Sequence, residues 1–233
     1  MAPPTLQAAV TRRCRAALTR PPRKAPGPPL ESAPMAHDPD EPTEVAEREH
    51  SPLDPETRAR RDAALRHVRK HGDPVLRSRA LAVDSFDDGL REQVARMGRL
   101  MHDALGIGLA ATQVGLMNRV LVYRVDADGP IAALVNPVLE WAGDETETME
   151  EGCLSLPGVL VEVERPIHVR VRARDERGEE LLIEASGLEA RVIQHEMDHL
   201  DGVLILDRTS REQRKEAMRT LRETAPAPLG ASA

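Results

Sequence analysis

Apolar positions along this chain fall into two regimes. They recur at helical spacing from about residue 55 to 105, come as short strand-like runs from 119 to 185, and return to helical spacing near 188. A first helix is predicted to start at Asp54-Pro55, a capping side chain followed by proline at the first helical position, and to cover residues 57–70. His71-Gly72-Asp73-Pro74 ends it. A second helix is predicted over 87–105, where Leu90, Val94, Met97, Met101 and Leu105 keep one apolar face and Gly106 acts as the stop. Strands are predicted at 119–125, 132–135, 138–142, 159–163, 168–173 and 180–185, with Asp175-Glu176-Arg177-Gly178 turning a hairpin. A third helix, 188–200, closes on Gly202, and a fourth covers 211–223. Helices at both ends with antiparallel strands between them imply an α+β domain, not alternating βαβ units.

Composition narrows the picture. The 233 residues give room for one ordinary domain and a tail, and a net charge of −7 argues against coating nucleic acid by bulk charge. Trp141, Tyr123 and Phe86 are the whole Phe/Tyr/Trp inventory, so the core must be built from Leu, Val, Ile, Ala and Met, with almost nothing on which single-stranded bases could stack. Neither an 18-residue apolar run nor the apolar core of a secretory signal is present, and the two cysteines, Cys14 and Cys153, lie in regions too unlike to suit a structural disulfide. A reducing cytoplasm is the expected location. The first 55 residues hold 12 of the 19 prolines; residues 1–34 are Arg-rich and 36–56 acidic. Such a segment buries too little apolar surface to offset chain entropy, so 1–55 is expected to be a disordered extension, 56–223 the folded domain and 224–233 a flexible tail. The Arg-rich start also reads as an organelle transit peptide, as a low-complexity tail, or as an over-extended start with Met35 as initiator.

Candidate chemistry centres on His195-Glu196-Met197-Asp198-His199. On a helix, positions i and i+4 share a face one turn apart, so both imidazoles can reach one ion, with Glu196 beside them. Leu188, Val192 and Ile193 mark an adjoining apolar face by which the helix packs. Two histidines leave a tetrahedral set incomplete, and the candidate third ligand is Cys153 in Glu151-Gly152-Cys153-Leu154-Ser155-Leu156-Pro157, where Gly152 permits close backbone approach. A third segment, 106–115, has glycines and alanines around Gln113. It lacks GxGxxG and a Lys-Ser/Thr ending and follows a helix, which excludes a phosphate cradle. Small residues there suit close approach to a peptide-like ligand, with the Gln113 amide donating to a developing oxyanion.

Together these segments resemble the three signature motifs of the peptide deformylases: GxGxAAxQ from Gly106 to Gln113, EGCLS from Glu151 to Ser155, and QHExDHL from Gln194 to Leu200. His71 to Arg77 is similar to a further segment of that family, and the resemblance spans roughly residues 66–210. It implies a deformylase-like α+β fold, antiparallel sheets around a central HExxH helix, and hydrolysis of the N-formyl group of formylmethionyl nascent peptides. By the resemblance, Cys153, His195 and His199 bind one metal and Glu196 is general base and acid. Gln113 and the Leu154 N–H form the oxyanion hole, and Gly108 holds the substrate backbone, with Gly152 on the substrate side. Ile107 and Val192 are expected to wall an apolar pocket. The flanking Arg191, Val192 and Thr112 carry little weight in the comparison.

Resemblance implies Fe²⁺, with Ni²⁺ or Co²⁺ able to substitute; the Cys/His₂ donor set by itself equally allows Zn²⁺. The mixed charges of the last helix, with Arg211, Arg214, Lys215, Arg219 and Arg222 among acids, read either as a solvated face or as a ribosome-docking surface. Neither a membrane nor sequence-specific nucleic acid is an expected partner. Two rivals remain at this stage. A zinc endopeptidase requires a third His or Glu downstream, and residues 203–233 contain no His. A silent binding protein of the same fold is expected to have lost Glu196, Cys153 or Gln113, and all three are present.

Overall fold

A computed structural model describes residues 53–127 and 129–224. The expectations for residues 1–55 and 224–233 therefore lie outside the described residues, apart from 53–55 and 224. Among the described residues four α-helices, α1 (Pro55–Leu65), α2 (Asp88–Asp103), α3 (Gly187–Leu200) and α4 (Arg211–Thr224), pack around seven strands. The strands are β1 (Gly108–Ala110), β2 (Val120–Tyr123), β3 (Ala132–Ala142), β4 (Thr146–Cys153), β5 (Leu156–Pro166), β6 (His168–Arg174) and β7 (Glu180–Ser186). Five of them form a sheet in the order β1-β2-β3-β6-β7, antiparallel throughout, and β4-β5 form a separate hairpin between β3 and β6 in the chain. The predicted α+β class holds. Among the described residues no helix is long and apolar enough to cross a membrane.

Helices cover both faces of the central strands, which explains why β2 reads Val-Leu-Val-Tyr without alternation. Leu121 and Tyr123 point to one side with Leu134, meeting Ile193, Met197 and Leu200 of α3. Val120 and Val122 point to the other with Val135, meeting Leu90, Met97 and Met101 of α2. Burying a Leu or Val side chain this way stabilises by about 2 kcal/mol. A third core joins Val159, Val161 and Val163 of β5 to Ala217 and Leu221 of α4. The outer face of β3 leaves Trp141 about half exposed.

Several boundaries differ from expectation, each for a local reason. Helix α1 stops at Leu65 instead of running to residue 70. Downstream backbone groups find tertiary partners: the Arg69 N–H donates to the Gln113 carbonyl at 2.7 Å and the His71 N–H to the Ser155 carbonyl at 2.9 Å. At the end of α2 it is Leu105 (φ 60°), not Gly106, that turns left-handed. The Leu105 and Gly106 N–H groups return to the His102 and Met101 carbonyls, closing the last turn. Gly106 serves a different need, because a Cβ there would lie 2.9 Å from Leu154 Cδ1. Strand β3 runs on through Pro137, where a break was expected. A bulge between Val135 and Val138 accommodates the missing N–H, with Asn136 (φ 53°) locked by two hydrogen bonds to the Val83 backbone. Strand β4 has no predicted counterpart, being Thr/Glu-rich and exposed along most of its length.

Gly202 closes α3 as expected, at φ 73°. A Cβ there would sit 2.7 Å from the Arg77 carbonyl oxygen, a backbone atom that cannot swing aside. Gly202→Ala combines left-handed strain with this overlap and should lower unfolding stability by about 2–4 kcal/mol, read by urea unfolding.

Candidate metal centre

Helix α3 presents His195 and His199 on one face, and Cys153, the last residue of β4 before the two-residue turn into β5, comes up against them. One ligand atom from each of Cys153, His195 and His199 lies within 4.8 Å of the other two. Cys153 Sγ is 3.2 Å from His199 Nε2. The tautomer of His195 is set from behind: its Nδ1 faces Glu151 Oε2 at 2.9 Å, which leaves Nε2 for the cluster. Around the sulfur, the Ser155 N–H stands at 3.4 Å and Gln113 Nε2 at 3.6 Å. Gln113 cannot turn its amide round, because Oε1 already accepts the Ala110 N–H at 2.8 Å while Nε2 also donates to Ser155 Oγ at 3.3 Å.

Glu196 is buried beside this set, and its Oε2 has no protein partner. One sulfur and two imidazole nitrogens converging next to an orphaned carboxylate oxygen suit a divalent transition metal and a reactant that needs a base. Burial pushes the Glu196 carboxyl above the usual range, with the two imidazoles working against the rise. Burial pushes the Cys153 thiol up as well, but the positive field and hydrogen bonds of His199 and His195 outweigh it and hold the group well below an ordinary thiol. Gly108 passes so close that a Cβ there would run into the Glu196 carboxylate.

The cluster opens on a cleft of about 630 Å³. Its walls include Leu105, Ile107, Leu160, Leu188 and Val192, and its base includes Gln113, Leu154, Cys153, His195 and Glu196. Gly108 and Gly152 line it too, so every site residue singled out from the sequence reaches this one place except His199, which lies just behind at 1% exposure. Leu188 departs from its assignment. Val192 and Ile193 are buried, whereas Leu188 is half exposed on the cleft wall and does not pack α3 onto the sheet.

Sequence reasoning missed what stands behind the histidines. Glu151, 6% exposed, accepts from Arg165 Nε and Nη2 at 2.6 and 2.9 Å, from Arg191 Nη1 at 2.8 Å, and meets His195. Arg165 Nη1 goes on to Asp198 Oδ2 at 2.9 Å. Burial pushes the Glu151 carboxyl up; hydrogen bonds from His195 and Arg165 and the Arg165 charge reverse this and hold it far below the usual range. Arg191, given little weight above, thus belongs to the frame of the site. So does Thr112, whose hydroxyl donates to the His199 carbonyl at 3.1 Å. For Arg165 a signal existed: Val159, Val161, Val163 and Arg165 form one inward-facing period-2 series.

An HExxH helix whose imidazoles meet a cysteine sulfur at the base of an apolar cleft defines a metal-dependent hydrolase, and Cys153 in third place separates it from a His- or Glu-completed endopeptidase. A family model described as polypeptide deformylase matches residues 65–215. A peptide deformylase of Acidothermus cellulolyticus is 48% identical over 160 residues, 69% of this chain and 87% of that protein. The solved peptide deformylase of Synechococcus elongatus, in complex with actinonin, aligns with a TM-score of 0.65 at 43% identity, covering 68% of this chain and 88% of that one. That of Thermotoga maritima gives 0.59 at 46% identity, covering 61% and 96%. The chain belongs to the peptide deformylase family, and it is a metal-dependent hydrolase that removes the N-formyl group from the formylmethionine of newly made polypeptides.

Glu151→Gln would leave two buried guanidinium groups facing a neutral amide. Loss of one partner from such a pair costs about 3–5 kcal/mol, so the variant should unfold at markedly lower urea than the parent.

Proposed function

We propose that Cys153, His195 and His199 hold the ion, that Glu196 is the general base and acid, and that Gln113 and the Leu154 N–H are the oxyanion donors. The observation that carries this reading is the buried Glu196 carboxylate with a free oxygen, facing the same cleft as a Gln113 amide whose orientation is fixed by the Ala110 N–H. When bound, the ion supplies Lewis-acid chemistry, polarising the formyl oxygen and acidifying the attacking water. Glu196 takes a proton from that water and delivers it to the departing α-nitrogen, so that formate and a free amine result. Burial, which raises its pKa above the usual carboxylate range, favours its uptake of that proton. Gln113 Nε2 and the Leu154 N–H receive the developing negative charge on the former formyl oxygen. The backbones of Gly108 and Gly152 take the extended substrate by close approach, and Ile107 and Val192 contact the methionine side chain.

For the ion we propose Fe²⁺ in the cell, with Ni²⁺ and Co²⁺ supporting activity and Zn²⁺ a competitor for the same donors. The assay is release of free amine from formyl-Met-Ala-Ser by anaerobically Fe²⁺-loaded protein, beside a Zn²⁺-loaded sample. Glu196→Ala should keep its ion by metal analysis and lose about a thousandfold in kcat. Full turnover in that variant would remove Glu196 from its role, and greater turnover with Zn²⁺ than with Fe²⁺ would reverse the metal assignment.

We further propose that the protein works in the cytoplasm beside the ribosome, with α4 as the docking element. Ala217 and Leu221 are buried against β5, so the helix is part of the domain, and Arg211, Lys215 and Arg222 face outward. Deleting α4 would uncover that core, so charge reversal is the cleaner probe. The triple variant Arg211→Glu, Lys215→Glu, Arg222→Glu should lose co-sedimentation with ribosomes at low salt while hydrolysing the free tripeptide normally; unchanged co-sedimentation would exclude α4.

A further inference from the structure

Three consecutive residues outside the three signature motifs are strung under the site. Arg69 donates its N–H to the Gln113 carbonyl and His71 donates its N–H to the Ser155 carbonyl, at 2.7 and 2.9 Å. Between them the Lys70 ammonium donates to the Leu154 carbonyl at 3.1 Å and to the Leu65 carbonyl, the last of α1, at 3.0 Å. The strap therefore reaches Gln113 and the Leu154–Ser155 turn at once, the two places that supply the oxyanion donors. Lys70 also lines the cleft and is half-buried, and in a chain with 29 Arg and 3 Lys it is one of two lysines in the described residues.

The Leu154 carbonyl and the Ser155 N–H are the two ends of one planar peptide. That N–H points at Cys153 Sγ, 3.4 Å away. From ammonium to sulfur the path is N–H to O=C, through the peptide, and N–H to S, with the donors all pointing the same way. A cation on the carbonyl end polarises the amide and strengthens what its N–H gives to sulfur. Outer groups that orient and polarise a ligand in this way commonly change metal affinity or activity by about 10- to 100-fold. Burial lowers the Lys70 pKa, and the charge on Cys153 opposes that fall, which places ammonium and sulfur in each other's field.

We propose that Lys70 is a positioning residue of the metal centre, fixing and polarising the Leu154–Ser155 peptide and thereby tuning the Cys153 sulfur and holding the Leu154 N–H in place. The proposal rests on Cys153 being a ligand and on Leu154 being an oxyanion donor. Co²⁺ loaded under nitrogen reads the ligand sphere without turnover, through the sulfur-to-cobalt charge-transfer band and through Co²⁺ affinity measured by chelator competition. In Lys70→Met the band should shift, Co²⁺ affinity should fall about tenfold or more, and kcat should fall about tenfold with KM within about twofold. Lys70→Arg, which keeps a cation within reach of the Leu154 carbonyl, should restore the band position and most of kcat. An unshifted band with parental affinity in folded Lys70→Met overturns the proposal, and so does a Lys70→Arg protein as impaired as Lys70→Met. Should Lys70→Met fail to fold, Lys70→Gln carries the same reading: a shifted band supports the role and an unshifted one overturns it. A parent protein with no sulfur-to-cobalt band overturns the ligand assignment of Cys153 itself, and this role with it.

Discussion

A single buried negative charge organises the catalytic end of the molecule. Glu151 sits where water is excluded, and an unmatched carboxylate there would cost several kcal/mol. It is matched by two guanidinium groups and an imidazole drawn from β5 and α3. Those partners dock the β4–β5 hairpin, which shares no ladder with the main sheet, against the helix that carries the histidines. The same carboxylate fixes which nitrogen of His195 faces the cluster. Docking of the hairpin, orientation of His195 and delivery of Cys153 to the cluster are thus three results of one charge-matching requirement.

Close approach is the complementary constraint. The segment from Gly106 to Gln113 runs between α3 and the hairpin turn, where Gly106 meets Leu154 and Gly108 meets Glu196. Ala110 and Ala111 are fully buried in the same stretch. Small side chains here let the backbone itself form part of the cleft, while Gln113 is held from both ends of its amide. The cleft therefore has apolar side walls and a polar base, an arrangement suited to an apolar side chain next to a reacting amide.

Much of this was legible in the sequence because it depends on short-range periodicity. Helical spacing placed His195 and His199 on one face, alternation identified β5, β6 and β7, and three short motifs picked out the side chains that the fold gathers at one cleft. What escaped depends on long-range partners. Arg191 and Thr112 look interchangeable until Glu151 and the His199 carbonyl are beside them. Lys70 reads as the end of a helix until the hairpin turn arrives from 84 positions away. Arg165 was readable in principle, since it continues an inward series of valines, but ending the strand at residue 163 hid it. Strand β4 gives no apolar pattern because nearly all of it faces solvent, and its pairing is supplied by β5.

The meagre set of aromatic rings has an optical consequence. The sole tryptophan, Trp141, stands on the outer face of β3, outside the walls of the cleft, and the sole tyrosine is buried with its hydroxyl bound to Glu189. Intrinsic emission is therefore dominated by the solvent-facing surface of the sheet, away from the cleft. No tryptophan, tyrosine or phenylalanine lines the cleft, so ultraviolet fluorescence reports on events there only at second hand.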